Sequence, residues 1–394
     1  MGADSHSFSL FLFFLFIKCC QDRLSSEIIR QRSFGSPILR EYNGKDMRAL
    51  IVEKPGLSPN LVVKDLPVPV PEPGEALVQV AACGFCHHDL LVMTGVLRRG
   101  VNPGIVLGHE LAGRVADVGE GVTSVSAGDR VVSILTNACG RCDRCLQGRE
   151  HRCRTGVGIG HGRHGGFAEY VCVAESSLVV LPDTVDLTEA AIFACPMGVA
   201  LQAVKQVAQV QPGETVLVTG AGGGLGTHAV QIAAALGGRV LAVTSSPEKV
   251  EALEKLGAAE VLETGGSEET LDFSELVMAF TEDEGADVVI DTVGSPLFGS
   301  TWQSLGQFGR LVLLGEVAGQ PVRINLAEIV FRDAQILGSS GVSRALVQEV
   351  FEMVSQGTLR PVASRILPLE EAAIAVQELS NRSVLGRIVL APGG

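Results

Sequence analysis

Four cysteines, Cys139, Cys142, Cys145 and Cys153, constrain this chain more than any other feature. They stand in CGRCDRCLQGREHRC with C-x2-C-x2-C-x7-C spacing. Thiolates at turn spacing converge on one tetrahedral Zn²⁺, and a shell closed by four sulfurs is the structural kind of zinc site. The surrounding fold must then leave residues 137–155 as a lobe pinned to that ion. Reduced surface cysteines are the plain alternative, but the basic and polar neighbours form no apolar face to explain four thiols so close together. Disulfides are a weaker rival, because the rest of the chain reads as cytosolic. A closed shell organises a lobe and leaves no open position for a reaction.

The 394 residues suffice for two domains with sizeable cores. Abundant Gly (47) and scarce aromatics suit an α/β protein with tight turns. The net charge of -13 repels phosphodiesters, which argues against nucleic acid as a partner while leaving room for one basic pocket around a phosphorylated cofactor. The run Phe8–Ile17 (FSLFLFFLFI) is apolar but too short to span a bilayer. No Lys or Arg precedes it and no small-x-small cleavage site follows, so it is a poor secretory signal. His6 stands where a myristoylation motif needs Ser or Thr. Palmitoylation of Cys19 or Cys20 is the membrane alternative. The expectation is that residues 1–46 lie outside the folded unit, that no stable membrane partner exists, and that the protein is cytoplasmic. Met47 opens MRALIVEKPG, an alternating strand followed by a turn.

From Met47 to about Cys195 short Val-rich strands alternate with Pro and Gly, which predicts a small barrel or sandwich. From Thr215 the rhythm becomes strand, helix, strand. TVLVTG, RVLAVT, AEVLE, ADVVIDTV and RLVLLG read as strands. Leu225–Leu236, Pro247–Leu256, Phe273–Phe280 and Leu297–Leu305 read as helices. Such alternation predicts a doubly wound parallel sheet. The βα rhythm ends near Gly338, followed by a helix at Ala345–Ser355 and a last strand, GRIVL.

TGAGGGLG lies between a strand and a helix, with Ala221, Gly223, Gly224, Leu225 and Gly226 at its turn. Glycines let the backbone turn sharply and approach a pyrophosphate, and the helix N-terminus favours negative charge. At the end of the following strand, NAD sites usually carry an Asp or Glu for the ribose hydroxyls. Here Thr244, Ser245 and Ser246 stand there, with Lys249 beyond. No carboxylate repels a 2′-phosphate, so NADP(H) is expected over NAD(H).

A second constellation joins Cys86-His87-His88-Asp89 to Gly108-His109-Glu110 and to Cys195. Two Cys and one His make an open catalytic zinc site, with a fourth position for water or substrate. Singly, each residue has a plain alternative: Cys195 as a core thiol, His109 as a turn cap, His87 and His88 as surface residues. Cys83 and Cys172 read as core.

GFCHHD, GHELAGRVADVGEGV, GDRV, the cysteine run, GGFAEYV, TGAGGGLG and GRIVL together resemble the medium-chain dehydrogenase/reductase superfamily, in its zinc-containing alcohol dehydrogenase branch. The resemblance covers about residues 47–394. It implies a GroES-like catalytic domain (47–195 and 339–394) split around a Rossmann domain (196–338), with the active site between them. It implies Cys86, His109 and Cys195 as catalytic zinc ligands, with Glu110 behind the metal and able to exchange onto it, and Asp89 bonded to His109. It implies contacts of His87 and Arg387 with the cofactor pyrophosphate; Val293 and Gly315 complete the expected cofactor set. It implies two zinc ions per subunit and a homodimer or homotetramer.

One departure matters. The branch usually has Ser or Thr immediately before the Asp, and often His two residues after it, to relay the alcohol proton. Here those positions are His88 and Leu91. His88 can replace the hydroxyl, because imidazole donates and accepts near neutral pH. DLLVMTG, VLAVTSSPEK and DTVGSPLF also resemble zinc-bearing acryloyl-CoA reductases, which reduce a conjugated C=C with NADPH. Two enzymatic readings follow: interconversion of alcohols with aldehydes or ketones, and reduction of an enoyl-CoA, enone or quinone. A non-enzymatic reading would be marked by a lost catalytic ligand, and none is lost.

Overall fold

The computed structural model describes residues 42, 44–265 and 272–393. Phe8–Ile17, Cys19 and Cys20 lie outside them. Strands β1 (Asp46–Lys54) and β2 (Asn60–Pro67) form an antiparallel hairpin around Pro55 and Gly56. Strand β3 (Glu75–Phe85) is the spine of the first sheet, and most of its residues are buried. It pairs with β4 (Glu110–Val118), β8 (Tyr170–Ala174) and β17 (Arg387–Ala391). Strands β5 (Arg130–Ser133), β9 (Leu178–Leu181) and β16 (Ala363–Pro368) complete the order β16-β17-β3-β4-β5-β9. The last strands of the chain thus insert beside the first, and the β-rich layer is split in sequence, as a GroES-like domain is. The two-residue strands β6 (Thr136–Asn137) and β7 (Val157–Gly158) pair at the base of the cysteine lobe.

The second sheet is wholly parallel. It consists of β10 (Thr215–Thr219), β11 (Arg239–Thr244), β12 (Glu260–Glu263), β13 (Ala286–Asp291), β14 (Leu305–Leu313) and β15 (Gln335–Gly338), in the order β12-β11-β10-β13-β14-β15. Apolar runs such as TVLVT and DVVID are buried because helices cover both faces. The strand order reverses between β10 and β13, and ligands of such sheets bind outside the strand ends at that point.

Three helices position the site: α1 (His87–Met93), α2 (Gly224–Ala235) and α3 (Arg344–Ser355). Between the sheets runs Phe193–Val207, largely in wide π-helical turns. Pro196 lacks an N–H and disturbs the regular ladder, and Met197 N donates to Ile192 O at 3.3 Å, five residues back. Phe193, Met197, Leu201 and Val204 are buried there, in one core with Val132 of β5 and Val216 of β10. Cys195 is carried by this rigid joint. Among the described residues no helix is long and apolar enough to cross a membrane.

Two expectations shift. The helix expected over Pro247–Leu256 is a 3-10 turn, Pro247–Lys249, followed by an α-helix, Val250–Lys255. The helix expected to reach Leu305 ends at Gln303, and Leu305 begins β14 opposite Ala286. Gly306 and Gly309 had disguised this part of the strand, which bends at Phe308 (φ 60).

Candidate active site

Asp89 holds the first half of the site together. As the third residue of α1 it accepts a hydrogen bond from Cys86 N at 2.9 Å, closing the helix start. Its other oxygen accepts from Gly108 N at 3.3 Å and lies 3.4 Å from His109 Nδ1. One fully buried carboxylate therefore ties α1 to the segment just before β4 that carries His109 and aims the opposite edge of that ring at Cys86. Glycines make the space. Gly84 faces Glu110 across β3 and β4, and a Cβ there would lie 2.0 Å from Glu110 Oε2. Gly108 has φ +91, and a Cβ on it would meet Phe167 at 2.6 Å.

The sulfurs of Cys86 and Cys195, one ring nitrogen of His109 and one oxygen of Glu110 all lie within 4.8 Å of one another. The donors are two soft thiols, an imidazole and a carboxylate behind them, a set that suits a catalytic zinc ion. Cys86 accepts a hydrogen bond from the Cys195 thiol, which, with Arg387 and His109 nearby, holds it well below the usual thiol range against burial. Burial disfavours the charged His109 ring, yet Asp89 and Cys86 hold its pKa well above the usual value. Burial pushes Glu110 up to about 7, against the pull of Arg387. Arg387 Nη2 lies 3.0 Å from Glu110 Oε1, and neither Glu110 oxygen makes a well-aligned hydrogen bond. These under-satisfied buried acceptors fit a cation's surroundings.

The second shell gathers Cys139, Cys142, Cys145 and Cys153, their sulfurs also within 4.8 Å of one another. Backbone N–H groups of Arg141 and Cys142 bring the Cys139 thiol down to about 6. Those of Arg154 and Cys145 lower Cys142. Donors turned toward sulfur stabilise thiolates, the form a metal requires. Cys83 and Cys172 are buried in the first sheet and belong to neither ligand group, although Cys83 lies close to Asp89, Glu110 and Cys86.

The cofactor residues converge from four strand ends. Gly220 has φ +60, and Gly223 precedes α2. A Cβ on Gly226 would lie 2.2 Å from Gly220 O, so this position admits no side chain. Gly386 N donates to Gly222 O at 3.0 Å, so the C-terminal strand approaches the glycine loop, and the buried Arg387 guanidinium lies against Gly224. His87 is half-buried; burial lowers its pKa, and Arg387 and Arg382 add to the effect. Val293 and Gly315 meet across β13 and β14: Val317 N donates to Val293 O at 3.0 Å, and a Cβ on Gly315 would strike Thr292 O at 2.1 Å.

At the end of β11, Thr244 Oγ1 accepts from Ser246 N at 3.3 Å, and Ser245 is partly exposed. Lys249 is nearly buried, its stem against Gly222, and its ammonium donates to Arg382 O at 2.6 Å. Ser246 Oγ donates to the same carbonyl at 3.4 Å. Local sequence did not reveal that Arg382, exposed and with φ 58, brings its carbonyl to this end of the sheet.

His88 lies beside the ligand set. Its ring centroid is 5.3 Å from that of His109, edge on, and 5.2 Å from that of His161. Burial lowers the pKa of His88, and His109 lowers it further. Leu91, on the same helix, is partly buried. His161 was not singled out in the sequence, because it lies 73 residues beyond His88 in a loop of glycines and histidines.

A family model described as Alcohol dehydrogenase GroES-like domain matches residues 72–183, and one described as Zinc-binding dehydrogenase matches residues 224–356. An acryloyl-coenzyme A reductase of Metallosphaera sedula is 34% identical over 345 residues, 87% of this chain and 99% of that protein. An NAD-dependent alcohol dehydrogenase of Sulfurisphaera tokodaii is 31% identical over 355 residues, 88% of this chain and 99% of that one. The crystal structure of a zinc-binding dehydrogenase from Sinorhizobium meliloti bound to NADP superposes with TM-score 0.76 at 28% identity, covering 88% of this chain and 100% of the other.

Proposed function

Because this chain belongs to the zinc-containing alcohol dehydrogenase branch of the medium-chain dehydrogenase/reductase superfamily, and is an oxidoreductase, we propose that it interconverts alcohols with aldehydes or ketones. The observation that carries this reading is the convergence of Cys86, His109, Cys195 and Glu110 beside the cleft end of the parallel sheet. A zinc ion held there supplies Lewis-acid polarisation of the substrate oxygen, and a nicotinamide dinucleotide supplies or accepts the hydride. The chain's own residues do the rest. Asp89 fixes the tautomer and orientation of His109. Gly223, Gly224 and the start of α2, with Arg387 and His87, receive the pyrophosphate. His88 takes the alcohol proton at a ring nitrogen, in place of the absent hydroxyl.

Two zinc ions per chain are part of this reading, one in each shell. NADP(H) is the preferred cofactor: no carboxylate stands at Thr244, and the Lys249 ammonium lies near that strand end, held by the Arg382 carbonyl. The two sheets support a division into catalytic (47–195, 339–394) and Rossmann (196–338) domains. Both thiol shells need reduced cysteines, which supports a cytoplasmic setting.

A second reading is reduction of a conjugated C=C with NADPH. Leu91 and His88 depart from the alcohol relay, and the Metallosphaera sedula relative is an acryloyl-coenzyme A reductase. One screen tests both: the zinc-loaded protein with NADPH and NADH against aldehydes, enones and acyl-CoAs. Aldehyde reduction with reverse alcohol oxidation supports the first reading. Enone or enoyl-CoA reduction without alcohol oxidation overturns it in favour of the second.

A further inference from the structure

Just past the end of β14, the exposed carboxylate of Glu316 collects hydrogen bonds from two loops. Ser295 N donates to its Oε2 at 2.8 Å and Ser295 Oγ to its Oε1 at 2.7 Å. Ala318 N and Gly319 N donate to Oε1 at 2.9 and 2.8 Å. The first pair reaches across to the loop after β13, and the second closes the turn that Glu316 itself begins. Burial opposes the charge, but these donors hold the carboxyl below the usual carboxylate range. The near end of the β13 loop is held by the buried Asp291. Its Oδ1 accepts from Val293 N at 2.9 Å, Gly294 N at 3.0 Å and Thr219 Oγ1 at 2.6 Å. The successive N–H groups of Val293, Gly294 and Ser295 therefore all end on carboxylates. Gly294 has φ +83, and a Cβ on it would lie 2.6 Å from Glu316 Oε2, so the carboxylate is seated directly on this turn.

This loop borders the crevice where the strand order reverses, between β10 and β13. Thr292 Oγ1 donates to Thr219 O at 2.8 Å. A Cβ on Gly220, at the start of the glycine turn, would lie 2.5 Å from Thr292 Oγ1 and 2.8 Å from Val293 Cγ2. A dinucleotide lies across such a crevice with one half on each side. With the adenosine ribose at the end of β11 and the pyrophosphate at the start of α2, the nicotinamide half falls over the ends of β13 and β14. We propose that Glu316 is a positioning residue for that half: it locks loop 292–295 against loop 315–319 as one wall of the crevice before the cofactor arrives. The inference rests on the reading of the crevice as the dinucleotide site. A wall already in place costs less to order on binding, and apparent affinity falls with the fraction of molecules that have it in place. Bonds to an exposed carboxylate add little to global stability, so the effect belongs to binding rather than to melting.

The test uses the full-length zinc-loaded protein and its Glu316→Ala, Glu316→Gln and Ser295→Ala variants. Calorimetry gives Kd for NADPH and NADH, and for adenosine diphosphate with and without a 2′-phosphate, which lack the nicotinamide nucleoside. The expected result is that Glu316→Ala raises Kd for both dinucleotides about tenfold and leaves the adenosine diphosphates within about twofold. Glu316→Gln, which keeps one acceptor oxygen, falls between. Ser295→Ala raises the dinucleotide Kd about threefold, and adds nothing when combined with Glu316→Ala, because both remove the same tie. Unchanged dinucleotide Kd values overturn the proposal. So does equal weakening of dinucleotides and adenosine diphosphates, which a general loosening of the sheet end would give. Should Glu316→Ala also lower the melting temperature, the Ser295→Ala values decide in the same way. A wild type that binds neither dinucleotide overturns the cofactor reading, and this inference with it; a wild type that binds them leaves the variants to decide Glu316 alone.

Discussion

Asp89 orients His109, and His88 stands where the resemblance leads one to expect a hydroxyl. The lowered pKa of His88 keeps its ring neutral at pH 7, the form that accepts a proton. Alcohol oxidation through His88 therefore rises with pH up to that lowered pKa and is flat above it. His88→Ala should slow alcohol oxidation about 100-fold and remove that rise, read from kcat against pH. An unchanged rate excludes the relay. At the other end of the cofactor, Thr244→Asp places a carboxylate where the 2′-phosphate is expected to sit, beside Lys249 and the Arg382 carbonyl. Like charges brought together cost enough to shift the NADPH-to-NADH ratio of kcat/KM toward NADH by about tenfold or more. A wild type that already prefers NADH strongly contradicts the cofactor reading.

At the scale of elements, the cysteine lobe and α2 each depend on one kind of anchor. The lobe between β6 and β7 has little core of its own: Cys145 is its buried cysteine, while Leu146 is 75% exposed. Cys142→Ser leaves an incomplete shell. The expected result is about one zinc per chain in place of two by elemental analysis, a lower melting temperature and poorer solubility. A stable variant that loses only turnover would contradict a structural role. Helix α2 is joined to the C-terminal segment by His228. Its Nδ1 donates to Gly224 O at 2.6 Å, and its Nε2 accepts from Val362 N at 3.2 Å. Burial pushes this ring down to about 4. The unfolded chain takes up the proton near pH 6.5 and the folded one does not, so stability falls as pH drops from about 6.5 towards 4. That slope approaches about 1.4 kcal/mol per pH unit. His228→Gln should be less stable at pH 7 but lose this part of the slope, measured by denaturant unfolding at several pH values.

At the scale of the whole molecule, the parallel sheet ends in an open edge. Among the described residues strand β15 has a neighbour on one side only, and Ile336 on it is 38% exposed. The adjoining helix, Leu326–Arg332, exposes Leu326, Val330 and Phe331, the last at 80%. An apolar, unpaired edge in a protein of net charge -13 invites pairing with another copy rather than with nucleic acid. Light scattering should give the mass of a dimer or tetramer, and Phe331→Glu should shift it towards the monomer. A monomeric wild type at micromolar concentration would end this expectation.

Short-range spacing was enough for the cysteine lobe and the glycine loop. Cys139 to Cys153 and Ala221 to Gly226 converge within a few turns, so their chemistry is written in local order. The same holds for the change of rhythm that marks two kinds of sheet, which the fold bears out. Arg387 was reached only through family resemblance, because nothing local distinguishes a strand arginine from a functional one. Tertiary structure alone brought Arg382 to the end of β11 and His161 to His88. Both meetings depend on how sheets and loops pack over long sequence separations.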